Sequence, residues 1–123
     1  MNVVDSSGWL EYFADGQNAS VFAPIIEDIA SLIVPTVSIY EVYKSFLRER
    51  DENEALKAAG TMMRGQIVEL DAAISIEAAR LSLKHKIPMA DSIILATARA
   101  FNATLFTQDS DFRGLEDVEY IEK

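Results

Sequence analysis

The sequence contains no cysteine, which excludes disulfides and thiolate-bound metals and suits a cytoplasmic protein. Its single histidine, His85, cannot alone build a His-rich zinc site. No window of ~18 residues is apolar and free of charge, so no membrane-spanning helix is expected. The opening Met1-Asn2-Val3-Val4-Asp5 has no basic stretch and meets an acid at once, unlike a secretory signal. Basic residues are scarce, with 11 Lys and Arg against 20 Asp and Glu, for a formal net charge of −9. That balance argues against a general nucleic-acid binder, which needs cations to meet phosphates. The objection weakens where acids cluster to hold metal ions, because a bound cation reverses the local sign. Even so, four such carboxylates would account for less than half of the −9 excess.

What is present suffices for one domain with a sizeable core: 123 residues, 50% of them hydrophobic. Hydrophobic periodicity alternates between short apolar runs and helical stripes. Asn2 to Val4 forms a first strand, followed by a helix from Ser6 to Phe13 with Trp9, Leu10 and Phe13 on one side. A helix from Val21 to Ala30 places Val21, Ile25, Ile29 and Leu32 at helical spacing. Leu32 to Val34 is a strand closed by Pro35. The helix from Ser38 to about Arg50 carries Ile39, Val42, Tyr43, Phe46 and Leu47 at i, i+3, i+4, i+7 and i+8. A further helix from Asp51 to Met63 is expected to be interrupted near Gly60. Ile67 to Leu70 is the third strand, and Asp71 caps a helix running to about Lys84 with Ile74, Ala78 and Leu81 inward. After the connector Lys84-His85-Lys86-Ile87-Pro88 comes a helix from Ala90 to Phe101, a strand from Thr104 to Thr107, and a short last strand from Val118 to Ile121. Repeats, low-complexity tracts and linkers are absent. Short apolar strands alternating with helices indicate the α/β class: a three-layer α/β/α sandwich around a parallel sheet of four to five strands.

Ligands of open parallel sheets bind outside the carboxyl ends of the strands. Asp5 follows the first strand directly, Asp109 lies two residues beyond Thr107, and Glu41 sits in the first turn after the second strand. Asp91 opens the helix that feeds the fourth strand and can join them at that edge. Two helices lie between the third and fourth strands, however, and the sequence does not force the connector from Lys84 to Met89 to bring the chain back there. Each acid also has a plainer role. Ser38 to Glu41 fits a capping box, Asp5 and Asp91 fit N-caps, and Asp109 fits an Asx-turn. The plainer account must place four caps on one edge by coincidence, and it leaves Ser7 and Asp111 without a task.

The spaced motifs are Val3-Val4-Asp5-Ser6-Ser7, Ser38-Ile39-Tyr40-Glu41, the helix Met89-Ala90-Asp91-Ser92-Ile93-Ile94-Leu95-Ala96-Thr97-Ala98, and Leu105-Phe106-Thr107-Gln108-Asp109-Ser110-Asp111-Phe112. Together they resemble the PIN-domain family along essentially the whole chain, and most closely its VapC-type toxins of prokaryotic toxin–antitoxin pairs. The last two motifs are the specific ones; Tyr40 departs from the smaller residue common before the glutamate. The resemblance implies a magnesium- or manganese-dependent endoribonuclease, a homodimer, held inactive by a cognate antitoxin. An all-carboxylate ligand set suits such hard cations independently. Asp5, Asp91 and Asp109 are then the main metal ligands and Glu41 a ligand of a metal water or a base. Asp111 is an auxiliary acid, and Ser7 and Thr107 orient carboxylates by hydrogen bonds. So many acids close together predict a raised carboxyl pKa in the metal-free protein.

Lys44 and Arg48 follow Glu41 on the same helix face and are either RNA-phosphate contacts or a solvated face with a Glu41–Lys44 pair. The cluster Lys84, His85 and Lys86 is a charged connector or an RNA grip. Trp9, Tyr12 and Phe13 are core or interface aromatics, and Ile25, Ile26, Ile29, Leu32 and Ile33 are core or, in part, a docking surface. Rival acidic α/β sites fit poorly. A receiver domain needs an acid pair after the first strand and a lysine after the last, and a haloacid-dehalogenase-type phosphatase needs an acid where Ser7 stands. A structure-specific DNA nuclease would need large insertions. The remaining alternative is a non-catalytic PIN-like module that binds RNA or protein.

Overall fold

A computed structural model describes all 123 residues. In chain order it comprises β1 (Asn2–Val4), α1 (Ser6–Phe13), α2 (Ala19–Glu27), β2 (Leu32–Pro35), α3 (Thr36–Glu49), α4 (Glu52–Met62), β3 (Gln66–Val68), α5 (Ala72–His85), α6 (Met89–Ala100), β4 (Thr104–Thr107) and β5 (Val118–Tyr120). Short 3-10 turns at Ile29–Ser31 and Ser110–Phe112 complete it. The five strands form one sheet in the order β3-β2-β1-β4-β5, every pair parallel. β1 lies in the middle, with Val3 opposite Ile33 on one side and Leu105 on the other. The chain leaves β1 toward β2 and later returns to lay β4 on its other flank. That reversal opens a crevice at the carboxyl ends of β1 and β4.

Strand alternation sorts the core into two layers. Val3, Ile33 and Leu105 face Ile74, Ala78 and Leu81 of α5 and Ile93, Ile94 and Leu95 of α6. Val4, Leu32 and Val34 face Trp9 of α1, Phe22 and Ile26 of α2, Val42 of α3 and Ala58 and Met62 of α4. The sandwich inferred from the sequence is therefore present. α6 is buried all round from Asp91 to Ala98, so an acid in its first turn enters the interior with it.

Several expectations differ in detail. Val21 is 44% exposed and the inward face of α2 is Ala19, Phe22 and Ile26. The larger Phe22 ring takes the core, turning the helix by about one position. Gly60 does not interrupt α4, because its Cα faces open space and nothing packs against it. α3 begins at Thr36, two residues earlier than Ser38, directly behind Pro35, which ends β2 in an extended conformation and serves as the helix N-cap. The third strand is Gln66–Val68 and ends before Leu70. Of the apolar run from Ile25 to Ile33, Ile26, Leu32 and Ile33 lie in the core and form no docking surface. Trp9 is fully buried and Phe13 stacks on it at 5.8 Å.

Gly8 is where α1 crosses β1 and α2. A Cβ there would stand 2.6 Å from Phe22 Cε1 and 2.7 Å from Val4 Cγ1. Gly8→Ala is therefore expected to cost about 1–3 kcal/mol, despite the better helix propensity of alanine. Urea denaturation checks this; an unchanged midpoint would mean that the contact yields without cost.

Candidate functional site

Asp5 is the last residue held to β4, its N–H donating to the Phe106 carbonyl at 3.0 Å. It is also the N-cap of α1, accepting from the Ser7 N–H at 3.3 Å. The same Oδ2 accepts from Ser7 Oγ at 2.5 Å and from Thr107 Oγ1 at 2.8 Å. Thr107 in turn accepts from the Asp109 N–H at 2.9 Å. One hydroxyl at the end of β4 thus ties the β1 acid to the β4 acid. Asp109 caps the following turn, its Oδ1 accepting from the Asp111 N–H at 2.9 Å. Glu41 accepts from Ser6 Oγ at 2.6 Å.

The plainer roles and the functional ones therefore overlap. Asp5 does cap a helix, and Asp109 does close a turn. Glu41 and Asp91 do not cap: Pro35 and Pro88 occupy those positions. The capping box fails because the helix starts two residues before Ser38, whose hydroxyl is buried without a partner. Ser6 was not singled out from the sequence; its adjacency to Asp5 was the available signal.

Asp91, Asp109 and Asp111 each bring a carboxylate oxygen within 4.8 Å of the others. Asp91 is 8% exposed and makes no hydrogen bond through its carboxylate. Its pKa is pushed up to about 7, first by burial and then by the charges of Asp5, Asp109, Glu41 and Asp111. The other four acids picked out in the sequence thus all act on Asp91. Asp5, 2% exposed, is also raised, chiefly by burial; the Ser7 and Thr107 hydroxyls oppose this and Asp109 adds to it. The raised carboxyl expected of crowded acids is present.

The donor set fits a hard cation. It is all oxygen, and Asp5 Oδ1, Glu41 Oε2, Asp109 Oδ2 and both Asp91 oxygens keep no protein donor. A buried carboxyl without hydrogen bonds, held against four other acids, is costly unless a positive charge joins it.

Lys44 and Arg48 do not pair with Glu41. The Lys44 ammonium lies 5.6 Å from the centre of the Tyr40 ring, and Arg48 approaches Glu49 at 3.7 Å. Both stay exposed on the α3 face beside Glu41. The Lys84-His85-Lys86 segment closes α5, with Lys86 in the left-handed region at φ 55°. The roomier grooves lie elsewhere: one between α1 and α3 lined by Leu10, Phe13 and Phe46, and one along Ile39, Tyr43 and Leu47. The first is also lined by Arg48, Glu49, Arg50 and Glu54 and the second by Lys44, so both run along the charged flank of α3.

Residues 3–118 match the family model described as PIN domain. The chain belongs to the PIN-domain family. Solved structures share the fold at low identity. A toxin–antitoxin complex from Klebsiella pneumoniae has 21% identity and a TM-score of 0.81, covering 100% of both chains. The sarcin–ricin-loop-cleaving VapC toxin of Mycobacterium tuberculosis has 14% identity and a TM-score of 0.77, covering 100% of this chain and 98% of that one. VapBC-1 from nontypeable Haemophilus influenzae has 14% identity and a TM-score of 0.74, covering 98% and 96%. The sequence matches no curated protein at a significant level. No helix of this PIN domain is long and apolar enough to cross a membrane.

The hydroxyls that hold Asp5 are open to test. Thr107→Val keeps the shape of the side chain but removes a donor to Asp5 and an acceptor for the Asp109 N–H. Manganese affinity is expected to fall about 10–100-fold, measured by titration calorimetry. An unchanged affinity would separate Thr107 from the carboxylate site.

Proposed function

We propose that this PIN domain is a magnesium- or manganese-dependent endoribonuclease and the toxin of a toxin–antitoxin pair. The observation that carries the reading is Asp91, a buried carboxyl with its pKa pushed up to about 7 by four surrounding acids. Such a cluster is unfavourable in isolation and becomes favourable around a divalent cation.

Asp5, Asp91 and Asp109 would hold the metal, with Asp5 contributing its free Oδ1. Asp111 joins this set through its proximity to Asp91 and Asp109. A bound magnesium or manganese ion supplies a more acidic water and neutralises charge on the scissile phosphate. The protein does the positioning. Ser7 and Thr107 lock the Asp5 carboxylate and so fix which oxygen it presents. Ser6 does the same for Glu41, whose free Oε2 is left to orient a water or accept its proton. Lys44 and Arg48 lie on the flank of Glu41 and would meet RNA phosphates on that side.

The partners follow from the same reading: RNA as substrate, a cognate antitoxin, and a second copy in a homodimer. Tyr40, 61% exposed and next to Glu41, and Leu47, 46% exposed, line a groove on α3 that is available for protein contact. The solved toxin–antitoxin complexes of like fold support an antitoxin partner.

Labelled single-stranded and tRNA-like RNAs test the activity, with magnesium or manganese against chelator. Cutting that needs metal and disappears in Asp5→Asn is the expected result. Cutting that persists in chelator, or cutting retained by that variant, would overturn it. RNA binding without any cutting or metal uptake would favour the non-catalytic module instead.

A further inference from the structure

Two polar pockets lie on the β4 side, one of them against Asp109. One, about 310 Å³, is lined by Ser7, Gln108, Asp109, Ser110, Tyr120 and Lys123. The next, about 330 Å³, has no hydrophobic lining and is formed by Glu11, Gln17, Asn18, Gln108 and Lys123. Gln108 and Lys123 border both, so the two form one groove leading away from Asp109. Its size is at the small end of the range that holds a small ligand or one nucleotide unit.

Gln108 is the unusual residue in it. It is 7% exposed, and its amide nitrogen is among the atoms that reach solvent. Its backbone N–H donates to Ser7 Oγ at 3.3 Å and its Oε1 accepts from Asn18 Nδ2 at 3.0 Å. Asn18 is fixed in turn, donating to the Glu122 carbonyl at 3.1 Å while its own N–H donates to Glu11 at 2.8 Å. The Gln108 amide is therefore held in one orientation, and its Nε2 has no acceptor within the protein. Likewise Asn18 Oδ1 has no donor. A held amide pair with one free donor and one free acceptor is equipped to read a base edge.

The groove also contains a cation without an ion-pair partner. Arg48, Lys57, Arg80 and Arg113 are paired with acids and Arg99 donates to the Glu116 carbonyl, whereas Lys44, Arg50, Arg64, Lys84, Lys86 and Lys123 are in no ion pair. Of these, Lys123 alone lines the groove, in both pockets. In a chain of net charge −9, such a cation beside the acids is where a neighbouring phosphate would be held.

We propose that this groove is a nucleotide subsite next to the cut. Lys123 would hold the phosphate adjoining the scissile one, and the Gln108–Asn18 amide pair would hydrogen-bond to the base, giving the enzyme a sequence preference at that position. This rests on the nuclease reading above and extends it from chemistry to substrate choice.

Binding tests it without cleavage. Fluorescence anisotropy of labelled eight-nucleotide single-stranded RNAs, differing in one base, would be measured on Asp91→Asn protein so that nothing is cut. Adding Lys123→Gln is expected to weaken binding about fivefold and to lower the salt slope by about one. Adding Gln108→Leu is expected to reduce the base preference about tenfold, with thermal melting confirming the fold. Lys57→Gln, on α4, should change neither. RNA binding that Lys123→Gln and Gln108→Leu both leave intact would overturn the subsite, while the nuclease reading would stand on its own cleavage assay. A base preference lost in Gln108→Leu, from a wild type that cuts no RNA with metal, would keep the subsite and remove the nuclease. Failure of the Asp91→Asn parent to bind any RNA would overturn the subsite outright.

Discussion

Replacing Asp91 by asparagine is expected to reduce RNA cleavage by about a thousandfold and, in the same protein, to raise the melting temperature of the metal-free form at pH 8. The two effects share one cause. Asp91 is the acid on which the other four act, so its charge is both the strongest attraction for a cation and the largest repulsion without one. Asparagine keeps the shape and removes the charge. Displacing a carboxyl pKa from 3.8 to about 7 corresponds to about 4 kcal/mol, and water at the mouth of the cluster screens part of this, leaving about 2 kcal/mol. For a domain of this size that is a rise of roughly 5 °C or more. A variant that lost activity and also lost stability would indicate a structural role for Asp91, and the catalytic argument would fail. Most buried-residue substitutions destabilise, so a gain here is a discriminating outcome.

The second large effect is on stability against pH and metal. The folded protein binds the Asp91 proton more tightly than the unfolded chain does, because its folded pKa is raised above 3.8 to about 7. Between those values the folded state carries more protons, so metal-free stability falls as pH rises from about 4 to about 7 and levels off above. Asp5 is displaced in the same direction and adds to the trend. A divalent ion reverses it, since it competes with the proton for the same oxygens. Manganese at a hundred times its dissociation constant is expected to add about 2.7 kcal/mol at pH 8, and clearly less at pH 5.5, where Asp91 is protonated. Thermal melts with and without manganese at the two pH values check this. Equal gains at both would mean that the ion binds away from Asp91.

The placement of the acids was legible in the sequence because parallel α/β topology leaves little freedom. A residue directly after a short buried strand must emerge at the carboxyl edge, and Asp5 and Asp109 do. Asp91 was legible for a related reason, since a helix feeding a parallel strand starts at that edge. The layer structure also followed from pattern, Val3 and Val4 facing opposite sides. What escaped was set by tertiary contacts. The spacing of Val21, Ile25 and Ile29 looked like a buried stripe, yet the better packing of Phe22 rotated α2. Gly60 signalled a break, yet an exposed glycine in an otherwise good helix costs only about 1 kcal/mol. The weights within the acid cluster were not legible either. Asp111 had an auxiliary place because it follows Asp109 by two residues, but the Asx turn brings it beside Asp91. Asn18 and Gln108 carry no sequence signature, as each matters only through a partner distant in the chain, and Ser6 was signalled only by its place beside Asp5.

The negative charge of the chain takes on a different meaning beside this site. Five of the acids converge on Asp91 or are Asp91 itself, so part of the excess is concentrated where a cation would offset it. The remainder disfavours indiscriminate RNA binding and favours a substrate recognised at a few local points.

The most direct test of the carboxylate metal site is a calorimetric titration of manganese into the wild type, Asp91→Asn and Asp109→Asn at pH 7.5. Binding to the wild type that both substitutions abolish is the result this account predicts. No binding to the wild type, or binding that survives both changes, would contradict it.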